Sequence, residues 1–243
     1  MNEKDQLLEP DQSRRRTLIL LGSAALGASA YAEEARGDEV ESTMPACVVT
    51  PKQTEGPFFI DNRLQRADIR ADPASGALRG GTPLMLTLRV HAVGRSACLP
   101  VSGAIVDVWH CDADGQYSGV DQKPGGSAKE NFLRGYQVTG SDGTVRFITV
   151  YPGWYPGRAV HIHFKVRTRA SGNKGSEFTS QLYFDDGITD IVHANGIYRR
   201  RGRRDVLNTE DGLFRHDDGA SLLIKPTKTT DGYAANFDIG LRA

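Results

Sequence analysis

His161 and His163 stand two residues apart in Val160-His161-Ile162-His163-Phe164, and residues i and i+2 of a β-strand point to the same side. Two imidazoles on one face of an apolar strand each need a polar partner if buried, and one shared metal ion meets both needs. A solvent-facing pair meets them equally well, so the spacing alone leaves both readings open. The loop ahead of the strand, Tyr151-Pro152-Gly153-Trp154-Tyr155-Pro156-Gly157-Arg158, adds two tyrosines and an arginine. A further tyrosine, Tyr117, follows Trp109-His110-Cys111-Asp112-Ala113-Asp114-Gly115-Gln116. A phenol with a pKa near ~10 is a poor ligand for most divalent ions. Trivalent iron is different, because its charge deprotonates the phenol and retains the hard oxygen anion.

The remaining reactive residue types point elsewhere. His91, His110, His193 and His216 have no spacing that adds to the pair and read as surface or hydrogen-bonded histidines. Asp112, Asp114 and Gly115 look like the start of a calcium loop, but the position that should carry its bidentate acid falls on Lys123, so the segment reads as a turn. Cys47, Cys98 and Cys111 include no C-x-x-C pair. In an oxidising compartment they allow one disulfide, in any of three pairings, with one thiol left over. Alternation puts Trp109 and Cys111 on one strand face and His110 on the other. Trp109 and Trp154 read as core or pocket wall.

These side chains must be positioned by strands. Runs rich in β-branched and aromatic residues recur between turn signals at Leu84–Val93, Ala104–His110, Thr144–Val150, Val160–Thr168, Phe178–Phe184 and Ser221–Ile224. No sustained 3.6-residue apolar period appears, and one short helix is predicted over Ile188–Ala194, after Asp185-Asp186-Gly187. The pattern predicts an all-β chain: a single β-sandwich domain of two mostly antiparallel sheets with long loops and little helix. Lys plus Arg and Asp plus Glu number 30 each, which excludes a global field for nucleic acid or an anionic membrane. The run Arg199, Arg200, Arg201, Arg203 and Arg204 reads as a solvated loop balanced by Asp205, Glu210 and Asp211, with an anionic surface partner as the alternative.

Residues 1–32 read as a twin-arginine-type signal peptide. Ser13-Arg14-Arg15-Arg16 is its basic region, Thr17–Ala30 its short apolar stretch, and Ala28-Ser29-Ala30 and Ala30-Tyr31-Ala32 its small-x-small cleavage sites. An uncleaved anchor is the alternative. Residues 33–46 read as a flexible leader and 47–243 as the domain, exported to the periplasm or beyond, with no stable membrane insertion once the signal is removed.

Three segments, taken together, resemble the intradiol ring-cleavage dioxygenases. They are Thr54-Glu55-Gly56-Pro57-Phe58-Phe59, the stretch from Gly103-Ala104-Ile105-Val106-Asp107-Val108-Trp109 to Gly115-Gln116-Tyr117, and Tyr155-Pro156-Gly157-Arg158-Ala159-Val160-His161-Ile162-His163. The resemblance runs from about Cys47 to Phe184, and the short, secreted branch of the family looks most similar. It implies a mononuclear, non-haem Fe(III) held by Tyr117, Tyr155, His161 and His163, an active-site arginine at Arg158, and Gln181 lining the substrate pocket. It implies cleavage of catechols with O2 between the two hydroxyl-bearing carbons to cis,cis-muconate-type diacids, with Tyr155 leaving the iron to accept a proton. Only Pro156 and Gly157 separate Tyr155 from Arg158, where the larger enzymes have an insertion. Tyr151 therefore remains a rival ligand, although Tyr155 precedes proline as the motif requires. Two other classes stand beside this reading. One is an exported carbohydrate- or protein-binding module with Tyr117, Trp154 and Tyr155 as a stacking platform; the other is an H-x-H copper or zinc protein.

Overall fold

Alternating apolar residues in Leu84-Met85-Leu86-Thr87-Leu88-Arg89-Val90 make one face of a strand, and that face is buried. In the computed structural model the described residues are 48–95, 97–121, 127–168 and 175–242, within a unit spanning Met44–Ala243. The expected signal peptide (1–32), leader (33–46) and Cys47 lie outside the described residues.

The strands are β1 (Pro83–Val93), β2 (Cys98–Pro100), β3 (Ile105–Trp109), β4 (Arg134–Val138), β5 (Thr144–Val150), β6 (His161–Thr168), β7 (Ser176–Phe184), β8 (Leu223–Ile224), β9 (Thr227–Lys228) and β10 (Tyr233–Arg242). They form two five-stranded sheets: β2-β1-β10-β9, with β5 also on β1, and β4-β3-β6-β7-β8. Leu84, Leu86, Leu88 and Val90 of β1 and Phe147 of β5 form one buried cluster with Val106 and Val108 of β3, Ile162, Phe164 and Val166 of β6, and Leu182 of β7. Burial of a Leu, Ile, Val or Phe side chain contributes about 1.5–3 kcal/mol each, so this two-sheet core is the main stabilising element.

The all-β sandwich expectation holds, with a refinement. Among the described residues six of the eight strand pairings are antiparallel. However, β1 and β10 run parallel from Leu84↔Tyr233 to Val93↔Arg242, and β7 and β8 are also parallel, so both sheets are mixed. Strand β10, Tyr-Ala-Ala-Asn-Phe-Asp-Ile-Gly-Leu-Arg, has few β-branched residues and escapes sequence reading. Its pairing along the full length of β1 overrides weak local preference. The predicted helix is α1 (Asp186–His193), capped by the Asp185 carboxylate, which accepts from the Ile188 N–H. A second helix, α2 (Gly212–His216), was not expected. Among the described residues no helix is long and apolar enough to cross a membrane.

Candidate metal centre

Because Ile162, Phe164 and Val166 face the sandwich core, His161 and His163 face the other side of their sheet. The register sets His163 between Trp109 of β3 and Gln181 of β7, and His161 opposite Tyr183. Trp109 stacks on the His163 ring with centroids 5.0 Å apart and planes 6° apart. Both histidines are buried, at 2% and 1% exposure.

His161 Nδ1 donates to the Ala159 carbonyl at 2.7 Å, which leaves a single lone pair on Nε2. Three polar atoms crowd that lone pair: His163 Nε2 at 3.1 Å, the Tyr155 hydroxyl at 3.2 Å and the Tyr117 hydroxyl at 3.4 Å. One lone pair accepts only one good hydrogen bond, yet three polar atoms stand within 3.4 Å of it. A cation between them would satisfy all four. Burial, and then the Arg158 charge, push the His161 imidazole down to about 3; burial, and then His161, push His163 well below the usual range. Both rings are therefore neutral, the form that ligates metal.

The phenols are pushed the other way. Burial raises Tyr155 to about 12, with Arg158 partly opposing it, and burial raises Tyr117 well above the ordinary value, helped by Tyr155. Only a strongly charged ion would displace protons from such phenols. Among the described residues no three His, Cys, Asp or Glu side chains converge as a metal site, so any ion here would depend on tyrosine oxygen. Two imidazoles and two phenols suit hard ferric iron better than the softer first-row ions.

Backbone contact between loops brings the two tyrosines together. The Gly153 N–H donates to the Asp112 carbonyl at 3.1 Å. A β-carbon on Gly153 would lie 2.5 Å from that oxygen, and one on Gly115 (φ 75°) would lie 2.1 Å from the Trp154 carbonyl oxygen. Only glycine permits so close an approach. The Thr54–Phe59 segment passes across the site. A β-carbon on Gly56 would lie 3.4 Å from His163 Cε1, Phe58 stacks on Tyr117 with centroids 4.3 Å apart, and Phe59 packs on Trp109. Lys165, on the histidine face of β6, pairs with Glu55 and pins this segment.

Arg158 reaches the same region. Its Nη2 donates to Gln181 Oε1 at 2.6 Å and to the Tyr183 hydroxyl at 3.3 Å, while its Nε donates to Asp211 Oδ2 at 2.8 Å. Gln181 Nε2 in turn donates to the Thr54 carbonyl at 3.2 Å. Tyr117, Tyr155, Arg158, His161, His163 and Gln181 are thus brought together. Tyr151 is not: its hydroxyl bonds Thr189 Oγ1 at 2.8 Å and its ring packs on Phe184. Asp211 was expected only as a counter-charge to the arginine run. The Asp211-Gly212 cap signal at a helix start was the one sequence feature that could have marked it.

The run itself needs correction. Arg200 pairs with Asp114, Arg204 is buried against Asp186 and Asp190 at 3.1 and 3.2 Å, and Arg201 lies 4.8 Å from the Trp154 ring. None of these arginines is balanced by Asp211, which serves Arg158, and Glu210 accepts from the Leu207 N–H instead. The other histidines stand apart from the cluster. His110 bonds the Cys111 carbonyl and Thr149 Oγ1, His193 bonds the Pro152 carbonyl, His91 lies 3.4 Å from Asp238, and His216 is exposed. Asp112 Oδ1 accepts from the Asp114 and Gln116 N–H groups, as a turn requires. Cys111 is a buried thiol directed at the Gly153 carbonyl.

Comparison with known proteins matches this arrangement to one family. The dioxygenase family model covers residues 54–214. The chain is 31% identical over 205 residues to chlorocatechol 1,2-dioxygenase of Cupriavidus pinatubonensis, covering 73% of this chain and 70% of that one. It is 28% identical over 163 residues to catechol 1,2-dioxygenase 1 of Acinetobacter lwoffii, covering 56% of this chain but only 49% of that protein's length. Among solved structures, the intradiol ring-cleavage dioxygenase of Tetranychus urticae superposes with a TM-score of 0.71 at 31% identity, covering 81% of this chain and 95% of the other. A family match across the segment that holds both tyrosines, both histidines and the arginine, on a sandwich shared with that structure, means that the chain belongs to the intradiol ring-cleavage dioxygenase family.

Proposed function

We propose that this chain is a mononuclear, non-haem ferric dioxygenase that opens catechols between their two hydroxyl-bearing carbons, consuming O2 and releasing cis,cis-muconate-type diacids. The observation that carries this reading is the crowding of two phenol oxygens and a second imidazole around His161 Nε2. The names of the similar proteins, catechol and chlorocatechol 1,2-dioxygenase, support a catechol-type substrate. In this reading Tyr117, Tyr155, His161 and His163 hold the ion, and two phenolates offset most of its charge, which makes burial tolerable.

A ferric ion held by these four residues would supply Lewis acidity, which makes a catechol ring reactive toward O2. The protein's groups do the rest. Tyr155, more exposed than Tyr117, takes a proton from an incoming catechol hydroxyl at its Oη, and its high intrinsic pKa favours keeping it. Arg158, held by Gln181 and Asp211, presents a permanent cation to negative charge gathering on the substrate. Phe58, stacked on Tyr117 and edge-on to Tyr155, keeps water from the phenols.

Oxygen uptake across a panel of catechols, with metal analysis of the purified protein, tests the reading. Stoichiometric iron and a muconate-type product are expected. Copper or zinc without oxygen uptake would favour the H-x-H alternative, and a metal-free protein would favour a binding module. We also propose export by the twin-arginine route, on the strength of Arg14-Arg15-Arg16 and the apolar Thr17–Ala30 stretch. A cleaved protein in the exported fraction is expected, and uncleaved cytoplasmic protein would overturn it.

A further inference from the structure

We infer that Asp211 is a positioning residue that clamps Arg158 and, through the backbone of Ala159, orients His161. The inference rests on the proposed function for its catalytic meaning, though not for its geometry. The Asp211 side chain is fully buried and its two oxygens accept four hydrogen bonds. Oδ1 accepts from the Leu213 N–H at 2.8 Å and the Phe214 N–H at 3.2 Å, capping α2. Oδ2 accepts from Arg158 Nε at 2.8 Å and the Ala159 N–H at 2.8 Å.

Capping needs only the first oxygen, and a serine or asparagine would cap as well. The second oxygen is spent wholly on the loop that enters β6. Ala159 relays the contact: its N–H is held by Asp211, and its carbonyl accepts from His161 Nδ1 at 2.7 Å. One carboxylate therefore fixes the arginine directly and the histidine tautomer through one intervening residue, the outer-shell arrangement that orients metal-facing imidazoles. Gln181 Oε1 holds Nη2 of the same guanidinium at 2.6 Å, so Arg158 is gripped at two places. Burial alone would raise the Asp211 carboxyl, but Arg158 and the Ala159 N–H outweigh it and hold the group below the usual range. It is thus a charged clamp at neutral pH.

The test is a double-mutant cycle of Asp211→Asn with Arg158→Ala in iron-loaded protein. Asp211→Asn is expected to lower kcat about 10–100-fold, the scale of a small misplacement of a reacting-site group, with KM within about three-fold and iron content unchanged. In the Arg158→Ala background the same change should cost several-fold less in kcat than in the wild type, because only the part that acts through Ala159 and His161 remains. Equal losses in both backgrounds, or an unchanged kcat, would overturn the inference. If Asp211→Asn does not fold, Asp211→Ser keeps the cap, removes the carboxylate and takes its place. A crystal structure of the metal-free Asp211 variant reads the clamp without catalysis, and Arg158 should move away from Gln181. If the wild type opens no catechol, the proposed function fails, and that crystal structure alone decides the clamp: an unmoved Arg158 would refute it.

Discussion

Replacing Tyr155 with phenylalanine separates a metal-binding phenol from an incidental one. Burial raises the Tyr155 phenol to about 12 in the metal-free protein, roughly five units above pH 7. At about 1.36 kcal/mol per unit, ionising it there costs about 7 kcal/mol, and only about one molecule in 10⁵ is ionised. A ligating phenolate therefore appears only when an ion displaces its proton. Ferric loading at constant pH should release one fewer proton per ion in Tyr155→Phe than in the wild type. The reddish tyrosinate-to-iron absorption should shift, and turnover should fall. Metal-free stability should fall by about 1–3 kcal/mol, since the hydroxyl contacts His161 and also hydrogen-bonds Tyr117 and the charged Arg158. Loading should be followed in a pH-stat alongside the visible spectrum. Identical proton release and identical colour in the two proteins would refute Tyr155 as a ligand, and a colourless, fully iron-loaded wild type would refute both tyrosines.

Further outcomes follow from the same geometry. Arg158→Ala should lower kcat about 10²–10³-fold, the scale of one lost electrostatic donor, with little loss of iron; unchanged kinetics would remove Arg158 from the mechanism. Gly153→Ala should destabilise the protein by more than about 2 kcal/mol and weaken iron retention, because its methyl would lie 2.5 Å from the Asp112 oxygen and force the tyrosine loops apart; equal melting temperatures and iron content would contradict this. His110 is fully buried, and burial pushes it down to about 4. The unfolded chain thus binds a proton below pH ~6.5 that the fold refuses until pH ~4, and stability is full above ~6.5 and lost on acidification between those values, by about 3 kcal/mol for this residue. Urea titrations of metal-free protein at pH 7 and 4.5 should show a smaller difference for His110→Gln than for the wild type, and an equal difference would refute the assignment.

Several features were legible from sequence because they depend on local geometry. Strand alternation put His161 and His163 on one face, and the same period put Ile162, Phe164 and Val166 on the other, where they enter the core. Alternation also separated His110 from Trp109 and Cys111, and the structure places His110 against Thr149 while Trp109 and Cys111 cluster with Tyr117. Asp185 announced α1 through its cap. Resemblance of motifs singled out Tyr117, Tyr155, Arg158 and Gln181, which spacing alone would not have joined.

Contacts between distant segments were decided only in three dimensions. Tyr151 and Tyr155 are four residues apart and chemically alike, yet one hydroxyl meets Thr189 and the other meets His161; the turn between them, pressed on Asp112 through Gly153, makes that choice. Strand β10 has weak intrinsic preference and exists because β1 offers it a complete ladder. Asp211 lies 53 positions from Arg158 along the chain and acquires its role only where α2 meets the entry to β6. Periodicity is a property of the backbone and can be read along the chain. The partner of a buried charge is set by which loops the packed sheets bring together, and this protein's Arg158 and its paired histidines depend on that packing.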